Sequence, residues 1–283
     1  MSDKIVVPDL IRMRNSGKKI TMVAAYDFVF SSLLDQAGIH AILVGDSLGT
    51  VVQGQENTLP VTIEEIIYHS KAVVRGAKNA LVVADMPFMS YQLGPDKALE
   101  SAGRIIKESG VSAVKLEGGA VAAEAISKIT SADIPLMGHI GLTPQSVHRM
   151  GGYKVQGRKD SEAEKLIEDA LAVERAGAFA IVLEGIPSSL AKEITDRLYI
   201  PTIGIGAGVN CSGQVLVAHD LLGLTPANGG KLPKFVKQFA KLKGDIIDAF
   251  KDFKKEVEKE QFPSSEHSYE YRKQSQPRLK EVK

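Results

Sequence analysis

The chain has 283 residues, of which 44% are hydrophobic and 24% are charged, which is typical of a folded globular protein and excludes a wholly disordered chain. Lysine and arginine number 35 against 34 aspartates and glutamates, and this net charge of +1 gives no electrostatic reason to expect nucleic acid or an anionic membrane surface as a partner. Cys211 is the single cysteine, which excludes an internal disulfide and a cysteine-rich zinc module and fits a cytoplasmic location.

The amino-terminal segment does not resemble a targeting signal. Asp3, Lys4 and Pro8 interrupt what would have to be the apolar core of a secretory signal. Elsewhere no apolar run approaches the ~18 residues that a membrane span requires. We therefore expect neither a signal peptide nor a membrane helix.

Short β-rich runs alternate along the chain with amphipathic segments of helical length. About eight strands separated by helices predict a parallel sheet, which an open doubly wound fold and a closed barrel both satisfy. The strand count and a body of ~250 residues favour a (β/α)8 TIM barrel, an α/β fold. The predicted strands are 20–25, 40–45, 80–84, 112–116, 135–138, 178–183, 201–205 and a weaker run at 215–218, and the clearer helices are 63–75, 97–108, 121–129, 162–176 and 190–198.

The domain organisation follows from the absence of a Pro/Ser-rich linker in the middle of the chain. We expect one catalytic domain over residues 1–260, with helices at both of its ends. Apolar residues recur at helical spacing in 235–260, which indicates a helix packed on the core or on a neighbouring chain. Residues 261–283 are polar and poor in aliphatic side chains, so we expect a flexible tail.

Polar residues follow several of the apolar strands at the point where each ends. The carboxyl ends of parallel strands carry the chemistry of such folds, so these side chains are expected to meet in one cavity. Any one carboxylate alone is more simply explained as a helix cap. Several together repel unless a cation lies between them, and oxygen ligands without a Cys or His cluster favour Mg²⁺ or Mn²⁺. The residues are Asp27, Asp46, Ser47, Asp85, Lys115, Glu117 and Glu184.

Three further features are given simpler interpretations. His139 follows the fifth strand but is not assigned as a metal ligand, and the six histidines lack the HExxH spacing of zinc proteases. The glycine-rich run 204–208 lacks the full dinucleotide-binding spacing and is interpreted as a tight turn. Cys211 has no paired base nearby in the sequence and is not assigned as a nucleophile.

Five ordered segments resemble the ketopantoate hydroxymethyltransferase family: 44–62, 84–91, 114–119, 138–158 and 203–208. The resemblance extends from about residue 8 to about residue 260. It implies a (β/α)8 barrel that binds one Mg²⁺ per subunit and assembles as a homodecamer of two pentamer rings. It also implies transfer of a hydroxymethyl group from 5,10-methylenetetrahydrofolate to 3-methyl-2-oxobutanoate, which gives 2-dehydropantoate and tetrahydrofolate in pantothenate biosynthesis.

The same resemblance assigns roles to individual residues. By motif, Asp46, Asp85 and Glu117 match the metal-binding acids. Substrate contacts are implied for Asp46, Ser47, Asp85 and Lys115, and Glu184 matches the proposed catalytic base. The partners implied are thus a small 2-oxo acid and a reduced folate.

A 2-oxo acid can bind a metal ion and lose a proton in a way that fits these roles. Its carboxylate and keto oxygens can chelate Mg²⁺, and the adjacent C3–H is then acidic enough to form an enolate. Lys115 could pair with the substrate carboxylate or with Glu117, and the sequence does not decide between them. Glu184 follows an apolar run, so we expect burial to favour its protonated form and to suit it to proton transfer.

Three alternatives remain open from the sequence. Lys115 could form a Schiff base, as in a class I aldolase. The barrel could instead belong to a Mg²⁺-dependent carbon–carbon lyase of the pyruvate-binding group, which uses no folate. An inactive relative acting as a scaffold is disfavoured, because all the acids of the motifs and Lys115 are present.

Overall fold

The computed structural model describes residues 4–225 and 232–271. Eight parallel strands pair in chain order, and β8 pairs with β1, so the barrel is closed. The predicted TIM barrel is confirmed. The strands are β1 (Ile20–Ala24), β2 (Ala41–Val44), β3 (Leu81–Asp85), β4 (Ala113–Lys115), β5 (Leu136–Gly141), β6 (Ala180–Glu184), β7 (Thr202–Ile205) and β8 (Gly213–Val217).

Helices follow most of the strands. Those of the barrel region are α1 (Val7–Asn15), α2 (Phe28–Gln36), α3 (Leu48–Val51), α4 (Ile63–Gly76), α5 (Pro95–Ser109), α6 (Ala123–Thr130), α7 (Val147–Met150), α8 (Asp160–Arg175), α9 (Ser188–Arg197) and α10 (Ala218–Leu221). The last helix is α11 (Leu242–Glu258).

The strands are almost entirely apolar because both of their faces are buried. Successive side chains point to opposite faces of a strand. Val83 therefore packs inside the barrel, whereas Val82 packs in the layer between the barrel and the helices. Leu10 and Met13 of α1 belong to the interior cluster, so this first helix closes the amino-terminal end of the barrel. The carboxyl-terminal end is left for the site.

Helices α4 and α8 begin differently. Thr62 caps α4: its hydroxyl accepts a hydrogen bond from the N–H of Glu65, whose carboxylate accepts one from the N–H of Thr62. Helix α8 begins at Asp160, and its N-cap residue, Lys159, makes no capping hydrogen bond through its side chain.

The link between β7 and β8 departs from the regular alternation of strands and helices. Residues 206–212 return the chain to the start of β8 without forming a helix. Gly208 adopts φ +81°, and a side chain there would collide with Ser188 on the neighbouring helix. The glycine-rich run is therefore a tight turn, as predicted.

Residues from Ala240 onward form a second compact unit, separate from the unit of residues 1–239. Helix α11 begins at Leu242, later than the apolar spacing indicated, and Phe250 and Phe253 on it are exposed. The predicted domain limit at residue 260 stays a prediction, and residues 272–283 of the predicted tail lie outside the described residues. None of the described helices has the length and apolar character needed to cross a membrane.

Candidate active site

The polar residues that follow the strands lie together at the carboxyl-terminal end of the barrel. Strands β3, β4 and β6 end at Asp85, Lys115 and Glu184. Asp46 and Glu117 each come two positions after their own strands, and His139 lies within β5. A chain of contacts joins these side chains to one another and to Gln145. We call them the acidic network: Asp46, Asp85, Lys115, Glu117, His139, Gln145 and Glu184.

Asp85 and Lys115 form a buried ion pair. The two residues are register partners on adjacent strands, so their side chains lie side by side, with Lys115 Nζ 2.7 Å from Asp85 Oδ1. The other oxygen, Oδ2, accepts a hydrogen bond of 3.0 Å from the backbone N–H of Asp46. Gly45 makes this approach possible, because a Cβ there would lie 2.8 Å from Ser47 Oγ and 3.3 Å from Asp85 Oδ2. The sequence left two partners open for Lys115, the substrate carboxylate and Glu117. The structure shows a third, Asp85.

His139 links the two glutamates of the network. Its Nε2 lies 3.2 Å from Glu184 Oε2, and its Nδ1 lies 3.4 Å from Glu117 Oε1. Burial and the nearby Lys115 favour the neutral ring, but the hydrogen bonds to Glu117 and Glu184 outweigh them and raise the pKa of His139 to about 9. The two glutamates therefore favour the protonated imidazole. Sequence reasoning did not assign this histidine a role.

Gln145 connects the acids from a loop that follows β5. Its side-chain amide donates to Asp46 Oδ2 at 2.8 Å and to the Met86 carbonyl at 3.0 Å. Its backbone N–H donates to Glu117 Oε2 at 3.0 Å. The amide oxygen accepts a 2.7 Å hydrogen bond from the hydroxyl of Tyr91, which fixes the orientation of the amide. Gln145 and Tyr91 are both buried, and sequence reasoning identified neither of them.

The remaining predicted residues differ in their surroundings. The hydroxyl of Ser47 lies 2.8 Å from the hydroxyl of Tyr26, a residue that ends the first predicted strand. Burial raises the pKa of Tyr26, so it is a neutral hydrogen-bonding group. The Glu184 side chain is 16% exposed, more than the 5% of Glu117, so the expectation that Glu184 is fully buried is only partly met. Asp27 lies outside the network and caps α2 through the N–H of Phe30.

Negative charge exceeds positive charge in the network. Four carboxyl groups are present, whereas Lys115 and His139 are the cations in contact with them. Burial, followed by repulsion from Asp85 and Glu117, raises the pKa of Asp46 well above its ordinary value. Burial also raises the pKa of Asp85, despite its pairing with Lys115. A further cation would relieve this repulsion.

The donor set suits a hard divalent cation. No three His, Cys, Asp or Glu side chains form a ready-made metal cage among residues 4–225 and 232–271. Mg²⁺ does not require such a cage, since it is usually held by one or two carboxylates with water and substrate oxygens as the other ligands. Asp46 and Asp85, joined through one hydrogen bond, are a pair of this kind.

The ketopantoate hydroxymethyltransferase family model matches residues 4–265. The chain belongs to this family. It is 56% identical over 269 residues to the 3-methyl-2-oxobutanoate hydroxymethyltransferase of Pelobacter propionicus, with 95% of this chain and 98% of that protein covered. The enzyme of the same name from Carboxydothermus hydrogenoformans is 54% identical, with 94% and 96% covered. The predicted resemblance and the prediction of a transferase enzyme are confirmed.

Solved structures with a matching fold have much less similar sequences. A phosphonopyruvate hydrolase has a TM-score of 0.61 and 12% identity, covering 94% of this chain and 92% of its own. A 2,3-dimethylmalate lyase of the PEP mutase/isocitrate lyase superfamily has a TM-score of 0.56 and 14% identity, covering 91% and 89%. At these identities the likeness establishes the barrel fold alone.

Proposed function

We propose that the protein transfers a hydroxymethyl group from 5,10-methylenetetrahydrofolate to 3-methyl-2-oxobutanoate, forming 2-dehydropantoate and tetrahydrofolate in pantothenate biosynthesis. Family membership supports this activity. The observation that carries the proposal is the acidic network itself, in which the family-matched acids and Lys115 are in mutual contact at one end of the barrel. One site can therefore provide cation binding, carboxylate recognition and proton transfer.

Asp46 and Asp85 are the residues that would hold Mg²⁺, one ion per subunit, with Glu117 beside them. A solved structure of matching fold, with a TM-score of 0.59, is a phosphonopyruvate hydrolase in complex with oxalate and Mg²⁺, which supports the same use here. When bound, Mg²⁺ supplies Lewis-acid stabilisation of the negative charge that develops on the keto oxygen of the substrate.

Lys115 and Ser47 orient the oxo acid. Asp85 holds the ammonium group of Lys115 at the end of β4, where its positive charge attracts the substrate carboxylate. The Ser47 hydroxyl, fixed by Tyr26, offers a hydrogen bond to the same substrate. Burial lowers the pKa of Lys115, but Asp85, Glu117 and Asp46 outweigh burial and raise it overall. A protonated amine cannot attack a carbonyl, which argues against the Schiff-base alternative.

Glu184 is assigned as the base that removes the proton from C3 of the oxo acid. Its partial exposure at the mouth leaves one side of the carboxylate open to a substrate. His139 Nε2 lies 3.2 Å from Glu184 Oε2 and holds this carboxylate in place. We therefore treat His139 as a positioning residue. The enolate that forms then attacks the methylene carbon of the iminium form of the folate. Water replaces the folate nitrogen on that carbon and supplies the hydroxyl oxygen of the product, while the departing nitrogen takes up a proton.

The alternative is a Mg²⁺-dependent carbon–carbon lyase, and the fold likeness to a 2,3-dimethylmalate lyase is the observation that favours it. The two functions differ in their need for a folate. The deciding experiment measures 2-dehydropantoate formation from 3-methyl-2-oxobutanoate with and without 5,10-methylenetetrahydrofolate, before and after treatment with a chelator. Product that depends on both the folate and a divalent cation supports the transferase, whereas folate-independent, cation-dependent cleavage of a hydroxy diacid such as 2,3-dimethylmalate, with no 2-dehydropantoate formed, supports the lyase.

The homodecamer and the cytoplasmic location implied by the sequence are parts of this proposal. Sedimentation of the purified protein tests the first, and fractionation of the source cells tests the second.

A further inference from the structure

A cavity of about 720 Å³ opens beside the acidic network. Glu117 and Gln145 are buried and form part of its wall, and the Gln145 amide donates to Asp46, so this part of the cavity borders the acidic network. Cavities that enclose whole drug-sized molecules measure about 300–1,000 Å³. A five-carbon oxo acid fills only a small part of such a volume. The remaining space indicates a second and larger ligand at the same mouth.

One wall of this cavity presents an aromatic surface. The Phe88 side chain lines it and is 38% exposed. The next residue, Met89, adopts φ 65°, which costs a residue other than glycine about 1–2 kcal/mol and is typical of functional segments. This turn leaves Phe88 at the surface of the cavity, while Tyr91 reaches inward to Gln145. An exposed ring in a cavity wall provides a stacking surface for a planar ligand.

The exposed lining of the cavity carries two cations, Arg149 and Lys165, and two carboxylates, Glu124 and Glu162. Arg149 on α7 and Lys165 on α8 are exposed and line the wall, and neither has an ion pair or hydrogen bond within the part of the chain that the structure describes. By contrast, the wall carboxylate of Asp169 accepts a 2.7 Å hydrogen bond from the N–H of Ala120. The cations are therefore free to pair with a ligand that carries negative charge.

We propose that this cavity binds the one-carbon donor, with Phe88 against its planar rings and with Arg149 and Lys165 against the carboxylates of its glutamate tail. The inference rests on the proposed function, because it names the place of the second substrate in that reaction. A reduced folate has a ring system at one end and an anionic glutamate at the other. The ring system would lie at the buried end of the cavity, next to the acidic network, and the glutamate at the exposed end, next to Arg149 and Lys165.

The test uses two stable probes that transfer no carbon unit. One is 5-formyltetrahydrofolate, and the other is 5-formyltetrahydropteroate, which lacks the glutamate. Calorimetry with the full chain compares the wild type with the double variant Arg149→Glu/Lys165→Glu. We expect the Kd of the folate probe to rise about tenfold, since two exposed ion pairs become repulsive, and the Kd of the pteroate probe to change less than twofold.

The matched control is the double variant Lys71→Glu/Lys107→Glu, which makes the same change of charge at two exposed lysines outside the cavity lining. Both probes should bind this variant with wild-type affinity. Phe88→Ala should weaken both probes alike, by about threefold to tenfold, because stacking does not involve the glutamate. Affinity for 3-methyl-2-oxobutanoate should stay within twofold in each variant, which verifies that the barrel is intact.

The two levels of the proposal fail in different ways. If the wild type catalyses no folate-dependent reaction and binds neither probe, the proposed function is wrong. Suppose instead that the wild type binds both probes. If the Arg149→Glu/Lys165→Glu variant then binds both with wild-type affinity, or loses affinity for both by the same factor, the assignment of the cations is overturned while the proposed function stands. Unchanged binding in Phe88→Ala overturns the stacking contact.

Discussion

The side-chain amide of Gln145 donates a hydrogen bond of 2.8 Å to Asp46, although the two residues are 99 positions apart in the chain. Through its backbone N–H the same residue holds Glu117. A neutral side chain from the loop after β5 therefore sets the orientation of two acids that come from β2 and β4. Groups that orient ligands in this way commonly change metal affinity or activity about 10- to 100-fold when they are removed.

Gln145→Leu should weaken Mg²⁺ binding and lower kcat/KM by about 10- to 100-fold, because Asp46 loses its donor and the hydroxyl of Tyr91 loses the nearer of its two acceptors. Calorimetric titration with Mg²⁺ and steady-state kinetics measure the two effects. The control is Gln92→Leu, which removes a 3.3 Å hydrogen bond to the amide oxygen of Gln145 and a 3.4 Å hydrogen bond from the N–H of Tyr91, leaves the donors to Asp46 and Glu117 in place, and should leave both values nearly unchanged. Equal effects of the two substitutions would contradict the role of Gln145.

Glu184→Gln should lower kcat by about 10²- to 10⁴-fold while Mg²⁺ and oxo-acid affinities change little, because the amide cannot accept the C3 proton but keeps the shape of the side chain. Exchange of the C3 hydrogen with deuterated solvent, followed by NMR in the absence of folate, isolates the proton-removal step. Near-normal exchange in the Glu184→Gln variant would show that Glu184 is not the base that removes the C3 proton.

Asp85→Asn should destabilise the protein by about 3–5 kcal/mol and weaken Mg²⁺ and oxo-acid binding together, since Lys115 is left as a buried cation without its partner. The double variant Asp85→Asn/Lys115→Met removes both charges and should recover much of the stability but none of the binding. Urea unfolding and calorimetry measure the two properties. Asp85→Asn with intact binding of both ligands would contradict the shared site.

Asp35 provides a pH-dependent prediction remote from the site. Burial acts to raise the pKa of this carboxyl group, but hydrogen bonds from Asn79 and Ala80 outweigh it and hold the pKa below its ordinary value. A depressed pKa contributes stability that is fully present above the unfolded value of ~3.9 and is lost as the pH falls through the folded value.

Asp35→Asn should therefore cost about 1–3 kcal/mol of unfolding free energy at pH 7, and the difference from the wild type should narrow below about pH 4. Urea unfolding across this pH range provides the measurement, with the exposed Glu168→Gln as a control that should cost little at any pH. A cost that is constant or that grows at low pH would show that the carboxylate does not act through its ionised form.

Much of the site follows from the strand pattern alone. Lys115 and Asp85 end apolar strands, and the carboxyl ends of parallel strands meet at one mouth, so their proximity was predictable without knowledge of the register. The register then decides the pairing: Asp85 stands opposite Lys115, whereas the sequence left open a pair with Glu117 or with the substrate carboxylate. Local spacing cannot identify the partner on the next strand.

The missing parts of the prediction depend on contacts between distant loops. Gln145 and Tyr91 are 54 positions apart, and neither stands at the end of a strand. His139 looked like a single core histidine, because only the closed barrel brings Glu117 and Glu184 to its two nitrogens.

The most direct test of the account is calorimetric binding of 3-methyl-2-oxobutanoate to the metal-stripped protein, with and without added Mg²⁺, in the wild type and in Asp46→Ala. We expect a single Mg²⁺ site per chain and much tighter oxo-acid binding when that site is filled. In Asp46→Ala, added Mg²⁺ should not increase the affinity for the oxo acid. Oxo-acid affinity that is the same with and without Mg²⁺, or a full Mg²⁺-dependent gain in Asp46→Ala, would contradict this expectation.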